Sequence, residues 1–93
     1  MYMTLKEQEE YVCHRLRQER EKRGMSQMDL SLESGLSQNM ITYIETNKRT
    51  PTISSILKLC SALDIDPSIL FPKTDGDKEK AKQQVLDLIQ RYM

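Results

Sequence analysis

The chain has 93 residues, and its 14 Lys and Arg balance its 14 Asp and Glu, so the formal net charge is zero. This length supports one domain with a single modest core, and the charge balance excludes a general attraction to polyanions. With one His, two Cys and three Gly, the sequence lacks a metal-ligand cluster, a nucleophile–base pair and a glycine-rich phosphate loop, so we predict no enzyme activity, no metal and no cofactor.

The first predicted helix begins after Thr4, because Thr4 and Glu7 have the spacing of a capping box. It runs to about Arg23, and Gly24 ends it as a C-terminal cap. Its apolar stripe is thin and is interrupted by Glu9 and Glu19. We therefore expect its first turns to be exposed or to need a partner.

Two short helices joined by a tight turn follow. Ser26 caps the second predicted helix, which runs to about Glu33. Gly35 supplies the turn, since glycine adopts the left-handed conformation without steric cost. Ser37 then caps a third helix over residues 38–46.

The remainder of the chain is also predicted to be helical. Thr52 caps a fourth helix, whose predicted buried side consists of Ile53, Ile56, Leu57, Leu59, Cys60 and Leu63. Asp66 and Pro67 open a short fifth helix that extends through Phe71. Residues 72–77 have the composition of a linker, and residues 78–93 form a final amphipathic helix. No strand pattern is present, so the predicted fold is all-α.

The third predicted helix separates its polar and apolar residues onto opposite faces. At 100° per residue, one arc of roughly 140° collects its polar side chains, which are Gln38, Asn39, Thr42, Tyr43 and Thr46. This arc carries no Lys, Glu or Asp, which are the usual residues of a purely solvated face. Amide side chains pair with the edge of adenine, and the methyl group of Thr contacts that of thymine. The arc therefore predicts a surface that reads DNA bases.

Basic residues are concentrated in the middle of the chain. Residues 14–60 carry eight basic and five acidic side chains. One cluster lies in the first helix and consists of Arg15, Arg17, Arg20, Lys22 and Arg23. A second follows the third helix, at Lys48 and Arg49. This distribution favours local phosphate contact, although a solvated helix face explains the first cluster equally well.

Residues 16–71 resemble the helix-turn-helix domain of the lambda-repressor-like, Cro/C1-type (XRE) transcriptional regulators. The matching positions include Arg20, Gly24 to Gln27, Leu30, Gly35 to Ser37, Ile41, Ile44, Glu45, Asn47 to Arg49, Pro51, Ile56 to Leu59, Ala62 and Leu63. The resemblance covers about 60% of the chain. It implies a five-helix DNA-binding domain over residues 1–71, with an N-terminally extended first helix and the additional C-terminal helix outside it.

The resemblance also implies roles for individual residues. Gln38, Asn39, Thr42 and Tyr43 occupy positions where the family reads base edges. Phosphate contacts are implied for Gln27, which also steadies the first residue of the reading helix, and for Asn47, Lys48 and Arg49. Arg20 and Glu45 match a partly buried ion pair between the first and third helices. Glu19 stands where the family often has Leu, which implies a reduced contact of the first helix with the core. Asn47 and Asp64 stand where the family commonly has glycine, and Asn is the next best residue for a left-handed turn.

These observations predict a cytoplasmic, sequence-specific regulator, in the first instance a repressor, that binds a palindromic double-stranded operator as a homodimer. The dimer contact is open between the stripe of the last helix (Ala81, Val85, Leu88, Ile89 and Tyr92) and the region of Ile65, Ile69 and Phe71; the last helix folding back on its own domain is equally compatible. The alternative function is a protein-binding module, such as the antitoxin of a toxin–antitoxin pair. No apolar run is long enough to cross a membrane, and no signal-peptide pattern is present.

Overall fold

The structure, a computed structural model, describes residues 3–73 as four α-helices and one turn of 3-10 helix, without a strand in that range. The helices are α1 (Leu5–Lys22), α2 (Gln27–Ser34), α3 (Gln38–Glu45) and α4 (Ile53–Leu63), and the 3-10 turn is Pro67–Leu70. The all-α prediction is confirmed for these residues, and none of their helices combines the length and the apolarity needed to span a bilayer. The end of the predicted linker and the predicted C-terminal helix, residues 74–93, lie outside the described residues.

Each α-helix begins at a Ser or Thr that accepts a hydrogen bond from a backbone N–H of the first turn. At Thr4 the bond is reciprocal: the hydroxyl accepts from the backbone N–H of Glu7 at 3.1 Å, and the Glu7 carboxylate accepts from the backbone N–H of Thr4 at 3.0 Å. Ser26 and Asp29 form the same capping box on α2. These backbone hydrogen bonds lower the pKa of Glu7 and Asp29. The predicted helix starts are therefore confirmed.

The helix ends rely on residues in the left-handed conformation. Gly24, Asn47 and Asp64 have φ of 67°, 61° and 55°. After each of them the chain donates a backbone hydrogen bond back to the preceding helix, for example from Lys48 N to Tyr43 O at 2.8 Å. This pattern is a Schellman motif, and it turns the chain sharply out of the helix. Gly35, with φ of 79°, ends α2 and forms the predicted turn.

The prediction of a fifth helix through Phe71 is wrong in the type and the end of the helix, because the segment forms a single 3-10 turn that ends at Leu70. Its backbone hydrogen bonds join residues three apart, as from Ile69 N to Asp66 O at 3.1 Å. Phe71 is extended, with φ of −89° and ψ of 143°. A residue that precedes proline is disfavoured in the helical region, and Pro72 follows here. The turn therefore stops where the next proline requires it.

All four α-helices and the 3-10 turn contribute to one core. Its buried apolar side chains are Val12, Cys13, Leu16, Leu30, Ile41, Ile44, Leu59, Cys60, Leu63 and Leu70. The prediction for α4 is wrong at Ile53 and Leu57, which are 77% and 51% exposed. The buried side of α4 is a narrow arc of roughly 100°, from Leu59 to Cys60. Ile53 and Leu57 lie beyond the edge of this arc. The apolar face of α4 is therefore wider than the surface that its neighbours cover.

Glu19 is buried in α1 instead of reducing the helix's contact with the core. Only 2% of its surface is exposed. Its carboxylate lies 3.0 Å from Arg15 Nη2 and accepts a 2.6 Å hydrogen bond from Arg23 Nη1, so one acid on this helix is neutralised by arginines four residues to either side. The hydrogen bond from Arg23 and the charge of Arg15 lower the pKa of Glu19.

Replacing Glu19 with glutamine is expected to lower the free energy of unfolding at neutral pH by about 1–3 kcal/mol, because the charge-assisted hydrogen bonds are removed. The folded pKa of Glu19 lies below its unfolded value, so its stabilising contribution is present above pH ~4.5 and is lost as the pH falls through the folded pKa. Urea unfolding of the parent chain and of Glu19→Gln, from neutral pH down through the folded pKa, is the measurement. The difference between their free energies of unfolding should narrow in acid, and a difference that stays constant with pH would contradict the assignment.

Candidate nucleic-acid interface

The segment from α2 to the end of α3 forms two short helices joined by the left-handed turn at Gly35. The underside of α3 is fixed by Ile41 and Ile44, each only 1% exposed and packed in the common core. Its first turn is capped by the Ser37 hydroxyl, which accepts from Met40 N at 3.1 Å. Because one side of α3 is buried, its opposite side is presented to solvent in a fixed orientation.

The four predicted base-reading residues lie together on that outer side. Gln38, Asn39 and Tyr43 are exposed and Thr42 is half-buried. We call these four residues the reading face. Two amides, a hydroxyl and a phenol can all form hydrogen bonds, and none of these groups carries a charge at neutral pH.

Beneath the reading face, α3 is attached to α1 by a buried ion pair. Arg20 donates from Nε to Glu45 Oε2 at 2.7 Å and from Nη2 to Glu45 Oε1 at 2.9 Å. Both residues are buried, at 9% and 6% exposure. A third bond runs from Arg20 Nη1 to the carbonyl oxygen of Met25 at 2.7 Å. Hydrogen bonding to Glu45 raises the pKa of Arg20, so the guanidinium stays charged.

Gln27 joins this ion pair to the reading face. Its amide Nε2 donates to Glu45 Oε1 at 3.0 Å, and its Oε1 accepts from the Thr42 hydroxyl at 2.9 Å. The described contacts of the Gln27 side chain are therefore with Thr42 and Glu45, and none is with Gln38, the residue that it was expected to steady. The amide keeps one N–H and one lone pair, so the phosphate contact stays a prediction. The sequence offers no local signal for the Gln27–Thr42 bond, because the two residues are fifteen positions apart.

The Thr42 hydroxyl has a second acceptor within reach. Its oxygen lies 3.0 Å from the carbonyl oxygen of Gln38, one turn earlier in α3. A hydroxyl has one proton to donate, so the two acceptors share it. Thr42 therefore directs its hydroxyl proton to the protein.

Lys48 and Arg49 follow the left-handed Asn47 and are held against the end of α3. Both of their backbone N–H groups donate to Tyr43 O, at 2.8 and 3.2 Å. Both side chains are exposed, and neither forms an ion pair within residues 3–73. They therefore form a small cationic site beside the reading face.

The basic cluster of α1 has a different character. Four of its five cations pair with carboxylates, as Arg15 and Arg23 with Glu19, Arg17 with Glu21, and Arg20 with Glu45. Ion pairing cancels much of the field that these arginines would otherwise project. Of the two clusters seen in the sequence, the one after α3 is thus better suited to phosphate contact.

Comparison with known proteins agrees with this geometry. A family model described as Helix-turn-helix matches residues 16–70. The uncharacterized HTH-type transcriptional regulator y4dL of Sinorhizobium fredii (strain NBRC 101917 / NGR234) is 35% identical over 90 residues, which cover 90% of this chain and 46% of that protein. The chain therefore spans less than half of the length of this curated relative.

Two solved structures show the same likeness. The restriction-modification controller protein C.AhdI from Aeromonas hydrophila is 39% identical, with a TM-score of 0.64, and the match covers 66% of this chain and 92% of that one. The P22 c2 repressor, solved in complex with a synthetic operator, is 28% identical with a TM-score of 0.59, over 64% of this chain and 91% of that one. Both solved structures therefore share the fold of this chain.

Proposed function

Because the chain belongs to the Cro/C1-type (XRE) helix-turn-helix family of transcriptional regulators, we propose that it is a sequence-specific repressor that reads the major groove of double-stranded DNA with α3 as a homodimer. The observation that carries the proposal is the reading face. Its uncharged hydrogen-bonding groups lie on one exposed side of a helix whose other side is buried. Side chains of this kind form hydrogen bonds and methyl contacts with the edges of bases in the major groove.

The dimensions of α3 suit this role. An α-helix with its side chains is about 10–12 Å wide, and the major groove is about 12 Å wide. In this placement Gln38 and Asn39, on the first turn of α3, contact base edges. Lys48 and Arg49, at the other end, reach the phosphates, together with Asn47 and the remaining donor of Gln27. Phosphate contacts set the register, and base contacts select the sequence.

A single copy makes few contacts, which is why we propose a homodimer. Two reading helices that enter successive major grooves lie about 34 Å apart, and a twofold axis between them requires a palindromic operator. Ile69, in one of the two regions considered for the dimer contact from the sequence, is 37% exposed. Ile65, in contrast, is half-buried against the core. We therefore place the dimer contact at the 3-10 turn, around Ile69.

Repression is proposed from the likeness to the P22 c2 repressor and its operator complex. A reporter gene with the bound sequence overlapping its promoter tests it directly. Expression should fall when the chain is produced. Unchanged expression from an occupied site would remove repression from the proposal while leaving DNA binding intact.

The decisive experiment is selection of bound sequences from a random duplex pool. We expect an enriched motif with two inverted half-sites whose centres are about 10 base pairs, or a multiple of this, apart. Sedimentation should give a dimer mass that shifts to a monomer when Ile69 is replaced by lysine. No enrichment at low salt, together with co-purification of a second small protein, would instead favour the antitoxin-like alternative.

A further inference from the structure

An apolar groove runs beside the first half of α1 and has no cover among the described residues. Its walls include Leu5 and Val12 of α1, Pro51, Ile56 of α4, and Phe71, and its volume is about 180 Å³. Leu5 is 73% exposed and Phe71 is 50% exposed. Scattered apolar residues on a surface are normal, but a concave group of them indicates a binding site. We call this feature the α1 groove.

The α1 groove lies partly outside the family domain. The family match begins at residue 16, whereas Leu5 and Val12 belong to the preceding three turns of α1. The match ends at residue 70, so residues 74–93 are also additional to the domain. The chain thus carries two extensions, and one of them presents an uncovered apolar surface.

The second extension starts at the edge of this groove. Lys73, the last described residue, is two positions after Phe71, and twenty residues follow it. The sequence predicts a helix over residues 78–92, with its apolar stripe formed by Ala81, Val85, Leu88, Ile89 and Tyr92. Residues 74–77 can span up to about 13 Å when extended. A helix of this length measures about 22 Å, somewhat less than α1.

The charges of the two extensions are complementary. From Leu5 to His14, α1 carries three acids and one base, and Glu9 lies in the groove wall. Residues 78–93 carry four bases and two acids. At 100° per residue, Lys82 lies just beyond the Ile89 edge of the predicted stripe, and Lys78 lies on the same side, within its arc. A helix docked by its stripe would therefore bring opposite charges together.

We propose that residues 78–92 dock in the α1 groove of their own chain as an amphipathic helix, with the stripe covering Leu5 and Phe71. The short connection favours this intramolecular contact, since it gives the segment a high effective concentration at the groove. The helix then completes the domain, and the dimer contact is left to the 3-10 turn.

A tryptophan at position 5 tests this directly, because the chain has no Trp of its own. In Leu5→Trp the reporter sits at an exposed position, so the fold should tolerate it. We expect emission at short wavelength, as for an indole in apolar surroundings. A second change, Leu88→Asp, should shift that emission to longer wavelength, whereas Gln83→Asp, on the opposite side of the predicted helix, should not. Circular dichroism confirms that each variant is folded.

The emission measurements distinguish an α1 groove filled by residues 78–92 of the same chain from one that is empty or filled by a second copy. Emission of an exposed indole that neither tail variant changes would overturn the proposal. A shift that depends on Leu88 but disappears on dilution to concentrations where sedimentation shows a monomer would assign the groove to a second copy, and would overturn it as well. Phe71→Trp serves as a second reporter from another wall of the groove. None of these readouts involves DNA, so they stand apart from the test of the reading face.

Discussion

Replacing Glu45 with alanine is expected to lower the free energy of unfolding by about 3–5 kcal/mol. Glu45 accepts two hydrogen bonds from Arg20 and one from Gln27, and it is almost entirely buried. Removing the carboxylate leaves a buried guanidinium without its counter-charge, and the cost of that desolvated charge exceeds the value of the hydrogen bonds themselves. Urea unfolding followed by circular dichroism measures the change.

The matched control removes both charges. In Arg20→Met/Glu45→Met no unpaired charge remains, so we expect this double variant to be more stable than Glu45→Ala. The comparison separates the penalty of an unpaired charge from a loss of packing. A decrease of less than about 1 kcal/mol for Glu45→Ala, the range of exposed ion pairs, would contradict the buried character of this pair.

Replacing both Gln38 and Asn39 with alanine is expected to weaken binding to the selected duplex by about 1–3 kcal/mol for each bidentate pairing with a base that the substitutions remove. Both residues are exposed at the start of α3, so the fold should not change. Binding to unrelated duplexes should change little, because it rests on phosphate contacts. A fluorescence-anisotropy titration against both duplexes gives the specificity ratio.

Lys48→Ala/Arg49→Ala is the comparison for that experiment. Removal of these two cations should weaken binding to every sequence about equally and should reduce the dependence of affinity on salt by about two phosphate contacts. Gln38→Ala/Asn39→Ala should keep the salt dependence of binding and lose selectivity between duplexes. If this variant bound the selected duplex as tightly as the parent chain, the reading face would not be the surface that selects the sequence.

The local features of the fold could be predicted from the sequence because they depend on neighbouring residues. The capping box of Thr4 and Glu7 and the turn at Gly35 are encoded within a few positions. The division of α3 into two faces also follows from helical spacing alone. Each of these features depends only on residues a few positions apart in the sequence.

The errors have the opposite origin. Ile53 and Leu57 were predicted to be buried because they are apolar, but burial is decided by where α2 and the other helices lie around α4. Glu19 was expected to reduce the contact of α1 with the core, and the arginines four residues to either side were the signal that could have predicted its burial. The bond between Gln27 and Thr42 requires the folded chain, since nothing local connects them.

The bonds around Glu45 also have a consequence for the proposed binding to DNA. Arg20 on α1, Gln27 on α2, and Thr42 and Glu45 on α3 are joined by side-chain hydrogen bonds. These bonds tie the three helices together in the free chain, so the reading face is already held in position before any DNA is bound. In entropic terms, less conformational freedom remains to be lost on association, so more of the contact energy contributes to telling one site from another.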